Sequence, residues 1–395
     1  VPAGGIFAWA KRALKSVAIE LYLPFTFHLA KALLGRAGGP RSFAHVGIAG
    51  TFSKPANGIS RGAVMEAEAM RRAGIDVALL DLTATMRNPA FRLPHRAATS
   101  YIYHVGGPQV PGFVLGSLPA CRGAYRIAYL AWEFATPPGW PDLTGIVHEI
   151  WTPSEFSRAA LLKAGYRIPI RVVPHDVPPH PARRTRGAGP FTVLSMADAR
   201  SSLERKNPAG ALEAFAEAFG ADPQVRFRLK LNGLTGDLRT LHPQLAEMAA
   251  ALPNVEILDT HMDADELDRL FESADIFVSL HRGEGFGIPM LESMARGIPV
   301  VATGYSGNLQ FMDDDVGCLV GYQLVPFAND GVYRSNPAGW ADPDVAQAAG
   351  FLRRLRGEPA YYEEMSRNAY ARACALHDSW ADALSADSPG ARSGS

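Results

Sequence analysis

The chain has 395 residues, enough for two domains of ordinary size. Its 39 Lys+Arg balance its 39 Asp+Glu, so no global field draws nucleic acid or an acidic polymer. Three widely spaced cysteines, Cys121, Cys318 and Cys374, exclude a disulfide framework or a cysteine-based zinc site and point to a reducing cytoplasm; 47% hydrophobic and 20% charged residues exclude wholesale disorder and a many-span membrane protein.

Residues 1–40 break this even balance. Lys11, Arg12, Lys15, Lys31 and Arg36 face Glu20 alone and interleave with Ile19, Leu21, Leu23, Phe25, Phe27, Leu29 and Leu33. Glu20, Pro24, His28 and Lys31 interrupt the apolar run, which argues against a spanning helix, and no small-residue cleavage site follows it as in a signal peptide. Two readings of this basic amphipathic helical extension stay open: it lies on an anionic membrane surface through residues 1–38, or it packs on the first domain. Val1 stands where an initiating Met would, which leaves open that the chain is part of a longer one.

From Ala44 the text alternates between strand and helix signals. Residues 44–50 read as a buried strand ending in Gly50, the Asn57-Gly58 loop leads into a helix over 61–73, and 75–82 reads as a second strand. This βαβ unit implies a parallel sheet. Strands at 100–105, 124–132 and 149–152 and a helix at 154–164 follow. A proline-rich connection covers 172–190. The alternation then restarts, with strands at 191–196, 225–231, 255–259, 276–280 and 299–302 and helices at 208–219, 263–273 and 289–296. A last helix, 359–376, precedes a weak segment at 379–384 and a Ser/Gly/Ala tail read as disordered. The divisions expected are 1–40, 41–180, 190–376 and 377–395.

The stretch richest in chemistry is Arg282-Gly283-Glu284-Gly285-Phe286-Gly287-Ile288-Pro289-Met290-Leu291-Glu292, where a buried strand runs into alternating glycines and Pro289 suits the first turn of a helix. Amides of Gly285, Phe286 and Gly287 at a helix start suit phosphate or sugar oxygens, and the carboxylates of Glu284 and Glu292 accept hydrogen bonds from hydroxyls. The spacing matches neither G-x-G-x-x-G nor G-x-x-x-x-G-K-[ST]. Asp313-Asp314-Asp315 and Asp342-Pro343-Asp344 supply the letters of a metal-binding Asp-x-Asp, but read as turns or helix caps.

Glu284 and Glu292, with seven residues between them in that setting, resemble the E-x7-E motif of retaining nucleotide-sugar glycosyltransferases of family 4. Residues 297–308 and Glu204-Arg205-Lys206-Asn207-Pro208 extend the resemblance; Trp132-Glu133-Phe134 and 149–156 are similar to members that build bacterial surface polysaccharides. The resemblance implies an α/β chain of GT-B fold: two Rossmann-like doubly wound domains, the first for the acceptor and the second for the donor, facing a central cleft. It implies transfer of a hexose from a nucleoside-diphosphate sugar, GDP-mannose or a UDP-hexose, to a glycan or lipid-linked acceptor, with no cofactor, no metal and no nucleic-acid partner, at the cytoplasmic membrane face.

The resemblance also assigns roles. Glu284 lies near the donor sugar, with Gly285, Phe286 and Gly287 on its hydroxyls, while Glu292 takes the ribose. Lys206, with Arg200 or Arg205, stabilises the diphosphate, and the choice of arginine stays open. His104 contacts the donor sugar or is structural. Gly50, Lys230, His281, Ser306, Gly307 and Asn308 are donor-side candidates, and Glu133 faces the acceptor or has an internal partner. A nucleotide-sugar epimerase of the same fold and a non-catalytic carbohydrate-binding module are the competing functions.

Overall fold

A computed structural model describes residues 24–34, 38–52, 58–86, 95–181, 189–234, 236–327 and 336–385. The basic residues Lys11, Arg12, Lys15 and Arg36, Trp9, Asn57 and the tail after 385 lie outside the described residues.

The chain forms two six-stranded parallel sheets. The first contains β1 (His45–Gly50), β2 (Asp76–Asp81), β3 (Ser100–His104), β4 (Tyr125–Tyr129), β5 (Glu149–Thr152) and β6 (Ile170–Val172), in the order β2-β1-β3-β4-β5-β6. The second contains β7 (Phe191–Asp198), β8 (Val225–Asn232), β9 (Val255–Leu258), β10 (Ile276–Ser279), β11 (Val300–Thr303) and β12 (Cys318–Val320), in the order β12-β11-β10-β7-β8-β9. All ten inter-strand pairings in these sheets are parallel. Central strands such as β1 are buried along their whole length, because helices cover both sheet faces. These are two Rossmann-like domains, as the alternating pattern implies. In each, strand order reverses beside its first strand, at β1/β3 and at β7/β10, where ligands of such sheets bind at the carboxyl ends.

Elements outside the sequence reading join this frame. Helix Val110–Gly116 hides behind its own proline and glycines. An antiparallel hairpin, β13 (Tyr322–Phe327) with β14 (Asn336–Pro343), follows β12, and Asp344 caps helix Val345–Gly357 by accepting from the Gln347 amide. The Asp342-Pro343-Asp344 letters therefore serve a strand end and a cap, and Asp313 accepts from the Asp315 amide in a turn.

Three segments owe their place to tertiary packing, the first in line with the second of the two readings of the N-terminal extension. Helix 24–34 lies on the first domain, with Ala30 and Leu34 in that domain's core and Phe25 and Leu33 exposed. The start of the proline-rich connection is interior rather than solvated: Val173, His175, Asp176 and Val177 are buried. The weak segment near 380 is a helix, Trp380–Ser385, that follows helix Pro359–Asp378 back to the first domain. Trp380 and Leu384 enter its core, the Trp380 indole donates to Pro174 O at 2.8 Å and Arg41 donates to Leu384 O at 2.9 Å. Residues 380–384 thus pack with the first domain and not as a loose terminal segment.

Candidate functional site

The turns after β7 and β10 meet at the second sheet's reversal point. After β7, Ser202 caps helix Leu203–Lys206 by accepting from the Arg205 amide at 2.9 Å. Asn207 ends this helix and starts the next in a left-handed conformation, φ 50°. Its amide group accepts from Gly210 N at 3.1 Å and donates to Leu280 O at 2.9 Å, tying the Arg205-Lys206 turn to the end of β10. Lys206 Nζ donates to Glu284 Oε1, Arg205 NH1 lies 3.6 Å from Glu284 Oε2, and Arg205 also donates to Gly283 O.

Glu284 is buried, and burial alone would raise its carboxyl. The Lys206 and Arg205 charges, with a smaller contribution from His281, outweigh that and bring it down to about 2, so it is ionised at neutral pH. The loop after β11 fixes its backbone: Glu284 N donates to Ser306 Oγ at 2.8 Å and Gly307 N donates to Glu284 O at 2.9 Å. Ser306 holds φ 81° to make that contact, a conformation costly for a non-glycine residue. His281 braces the same loop from beneath; it is fully buried, with Nε2 3.0 Å from Tyr305 O and 3.1 Å from Asn308 Oδ1, and burial lowers its pKa. Asn308 in turn donates to Thr303 O at 3.0 Å. Ser306, Gly307, Asn308 and His281 thus act as the frame of Glu284.

The glycine turn presses on the first domain. A Cβ on Gly283 would sit 2.5 Å from Glu133 O. Gly285 O accepts from Ser154 Oγ at 2.7 Å. Gly287 caps helix Ile288–Met294, shorter than the 289–296 expected. The Phe286 ring is buried against Phe311 and His175, which leaves only its backbone for a ligand. The Glu133 carboxylate is partly exposed, 3.9 Å from Arg205 NH2. Glu292 is buried one turn farther on and accepts from Arg61 of helix Gly58–Arg72 in the first domain, an arginine the sequence reading did not single out. A cavity of about 20 Å³ remains between Lys206, Glu284, Gly287, Met290 and their neighbours, room for about one water molecule.

The other candidates lie apart from this cluster. Arg200 makes a two-pronged pair with Asp198 at 2.9 and 2.6 Å, so of the two arginines it is Arg205 that reaches Glu284. The Lys230 ammonium is buried and donates to Leu231 O, Asn232 Oδ1 and Thr260 O at 2.9, 2.7 and 2.6 Å, holding the loop after β9 to β8. His104 is buried with Nε2 2.5 Å from Glu66 Oε2 and stacks on Tyr129, which stacks on His175. Gly50 ends β1 beside the Phe52 ring and accepts from Leu82 N at 2.9 Å. Trp140, Trp340 and Trp380 serve packing, with Trp340 stacked on Phe327 and Phe327 on Phe134 across the two domains. Among the described residues, no three His, Cys, Asp or Glu side chains group to hold a metal ion, and no helix is long and apolar enough to cross a membrane.

Residues 191–329 match the family model for glycosyl transferases group 1. The chain is 30% identical over 178 residues to the D-inositol 3-phosphate glycosyltransferase of Acidothermus cellulolyticus, a match covering 44% of this chain and 35% of that protein. It is 32% identical over 110 residues to the O-antigen chain mannosyltransferase B of Escherichia coli, covering 28% of each. These matches span about a third of the length of such curated relatives. Among solved structures, Anabaena Alr3699/HepE in complex with UDP and glucose aligns with a TM-score of 0.60 at 15% identity, over 87% of this chain and 99% of that one. The sucrose-phosphate synthase of Thermosynechococcus elongatus aligns at 0.60 and 16% identity, over 86% and 96%. The chain therefore has the two-domain GT-B architecture, and its second half carries a glycosyl transferases group 1 domain.

Proposed function

We propose that this protein is a retaining glycosyltransferase that moves a hexose from a nucleoside-diphosphate sugar to a glycan or lipid-linked acceptor. The observation that carries the reading is the convergence of Lys206 and Arg205 on Glu284 at the carboxyl ends of β7 and β10. In this reading the two cations neutralise the diphosphate as negative charge grows on it and the sugar carbon becomes oxocarbenium-like. Without donor, Glu284 balances them; with donor, its fixed carboxylate accepts from the sugar hydroxyls beside the Gly285–Gly287 backbone. Glu292 serves the ribose, and the chemistry runs without a metal ion. GDP-mannose and UDP-hexoses are the donors to try first. One relative is a mannosyltransferase and one structural neighbour is in complex with UDP and glucose, which favours neither over the other.

Thermal stabilisation by GDP-, UDP- and dTDP-sugars identifies the donor, since a ligand that binds the native state raises its stability. With that donor, Lys206→Ala and Glu284→Ala should each lower transfer by roughly 10²–10³-fold. Full activity in both would remove the donor site from this place. Product linked to an acceptor, rather than free nucleotide with an altered sugar, separates transfer from epimerisation. The membrane role of residues 1–38 is part of the same reading. The exposed Phe25 and Leu33 of helix 24–34 are compatible with it. Deleting residues 1–38 should weaken binding to anionic vesicles, and unchanged binding would reject the role.

A further inference from the structure

The first domain sends one cation into the donor side of the cleft that the reading above leaves unused. Arg61 stands in the first turn of helix Gly58–Arg72, and its guanidinium donates to Glu292 Oε1. The two side chains differ sharply in setting: Arg61 is 39% exposed and Glu292 only 5%. The carboxylate is half satisfied, because Oε2 is buried and lacks a hydrogen-bond partner. A buried acceptor without a donor is costly, and here it leaves Oε2 with unused capacity to accept from one more hydroxyl or N–H. Among the described residues Glu292 is the acidic side chain paired with Arg61, so whatever takes this carboxylate leaves the guanidinium in need of another anion.

Resting on the donor reading above, we propose that Arg61 is a diphosphate-binding residue: when the ribose hydroxyls of a nucleoside diphosphate occupy Glu292, the displaced guanidinium moves onto the phosphates of that same ligand. One nucleotide carries both partners of the exchange. Its ribose hydroxyls and its 5′ phosphates are separated by a furanose ring and a methylene, a span that an arginine covers by rotating its own side-chain torsions. A guanidinium matches phosphate oxygens in a two-pronged geometry, so the ion pair lost at Glu292 is replaced by one of equal or better fit. The ligand is then held from both sides, by Arg205 and Lys206 in the second domain and by Arg61 in the first.

The test compares nucleoside with nucleoside diphosphate. Isothermal titration of the full chain, Arg61→Ala and Arg61→Lys is run with UDP, GDP and dTDP and with uridine, guanosine and thymidine, and thermal unfolding verifies that the variants fold. Arg61→Ala should weaken the preferred diphosphate by 10-fold or more, the scale of a lost hydrogen bond to a charged group. It should leave the matching nucleoside unchanged or tighter, because that ligand gains nothing from Arg61 and must displace it. Arg61→Lys should retain part of the diphosphate affinity. Equal weakening of both ligands, the mark of a structural role, overturns the proposal. So does tighter or unchanged diphosphate binding, which would make Arg61 only an obstruction. If the wild type binds none of the three diphosphates, the donor reading falls and this proposal with it. If it binds one and loses it in Lys206→Ala but not in Arg61→Ala, the Arg61 proposal alone falls.

Discussion

Gly307 shows how tightly the site's backbone is fitted. A Cβ there would meet Gly285 O at 2.2 Å and Phe286 N at 2.6 Å, main-chain atoms that have no side-chain freedom with which to retreat. Gly307→Ala should therefore part the loop after β11 from the glycine turn and destabilise the protein by about 1–3 kcal/mol or more. Urea unfolding checks it against Gly123→Ala, where an added methyl meets nothing within 4 Å and the midpoint should hardly move. The glycine turn that Gly307 packs against stands out in the sequence by the alternation of Gly283, Gly285 and Gly287 between strand and helix. Arg61 does not stand out: it is one arginine among 39 Lys+Arg, and its partner lies 231 residues away. The choice between Arg200 and Arg205 was ambiguous for a related reason. The spacing to Lys206 favours Arg200 and the Arg205-Lys206-Asn207-Pro208 wording favours Arg205, and only the fold shows that Asp198 engages the first while the second turns inward to Glu284.

The element that positions the cations is the pair of helices joined at Asn207. Asparagine tolerates the left-handed backbone there, caps the following helix and reaches Leu280 O with its amide nitrogen. Asn207→Ala should cost about 1–2 kcal/mol for the lost cap and leave Leu280 O short of a donor. Because the same turn carries Lys206, the transfer rate should fall by more than the small change in melting temperature explains; Asn207→Asp, which keeps the cap but not the donor, should lie between. Elements with strong periodicity, such as the strands at 191–198 and 225–232 and helix Pro208–Phe219, were legible because burial and period agree. Helix Val110–Gly116 and hairpin Tyr322–Phe327/Asn336–Pro343 were not, since proline and glycine inside them imitate loop chemistry and tertiary contacts override it. The burial of residues 173–177 was hidden for the same reason: their prolines mark a break in regular structure, whether or not the chain there is covered.

On the scale of the whole molecule, the two domains touch across the cleft beside Glu284. Ser154–Gly285, Glu155 N–Gln310 at 2.9 Å, Arg61–Glu292 and the Phe134–Phe327 stack join the domains, and the space at Glu284 is about 20 Å³. Small-molecule sites hold roughly 300–1,000 Å³, so the donor of the proposed function would enter this space only if these contacts part. The interface also carries a pH signature. His175 is buried between Tyr129 and Phe286, and burial, aided by the His104 charge, brings it down to about 3. The native state thus binds fewer protons than the unfolded chain, and the His175 contribution, fully present above about pH 6.5, falls as pH drops from there toward 3. By pH 5 the loss is about 2 kcal/mol, and Glu284 adds its own loss between about 4.5 and 2. Urea midpoints should decline from pH 7.5 to 5, and His175→Phe should flatten that decline; a wild-type midpoint that does not move would refute the assignment.

The return of the C-terminal helices to the first domain limits how those contacts can part. The polypeptide passes between the domains twice, and both passages are pinned at one carboxylate: Asp176 on the outgoing segment after β6 pairs with Arg72 and sits 2.7 Å from His377 Nδ1 on the returning helix Pro359–Asp378. Two adjacent tethers act like the pins of a door. They restrict tumbling and sliding more than a swing about the line joining them, so under the proposed function the lobes would re-register on each closure and bring the reacting groups into the same alignment.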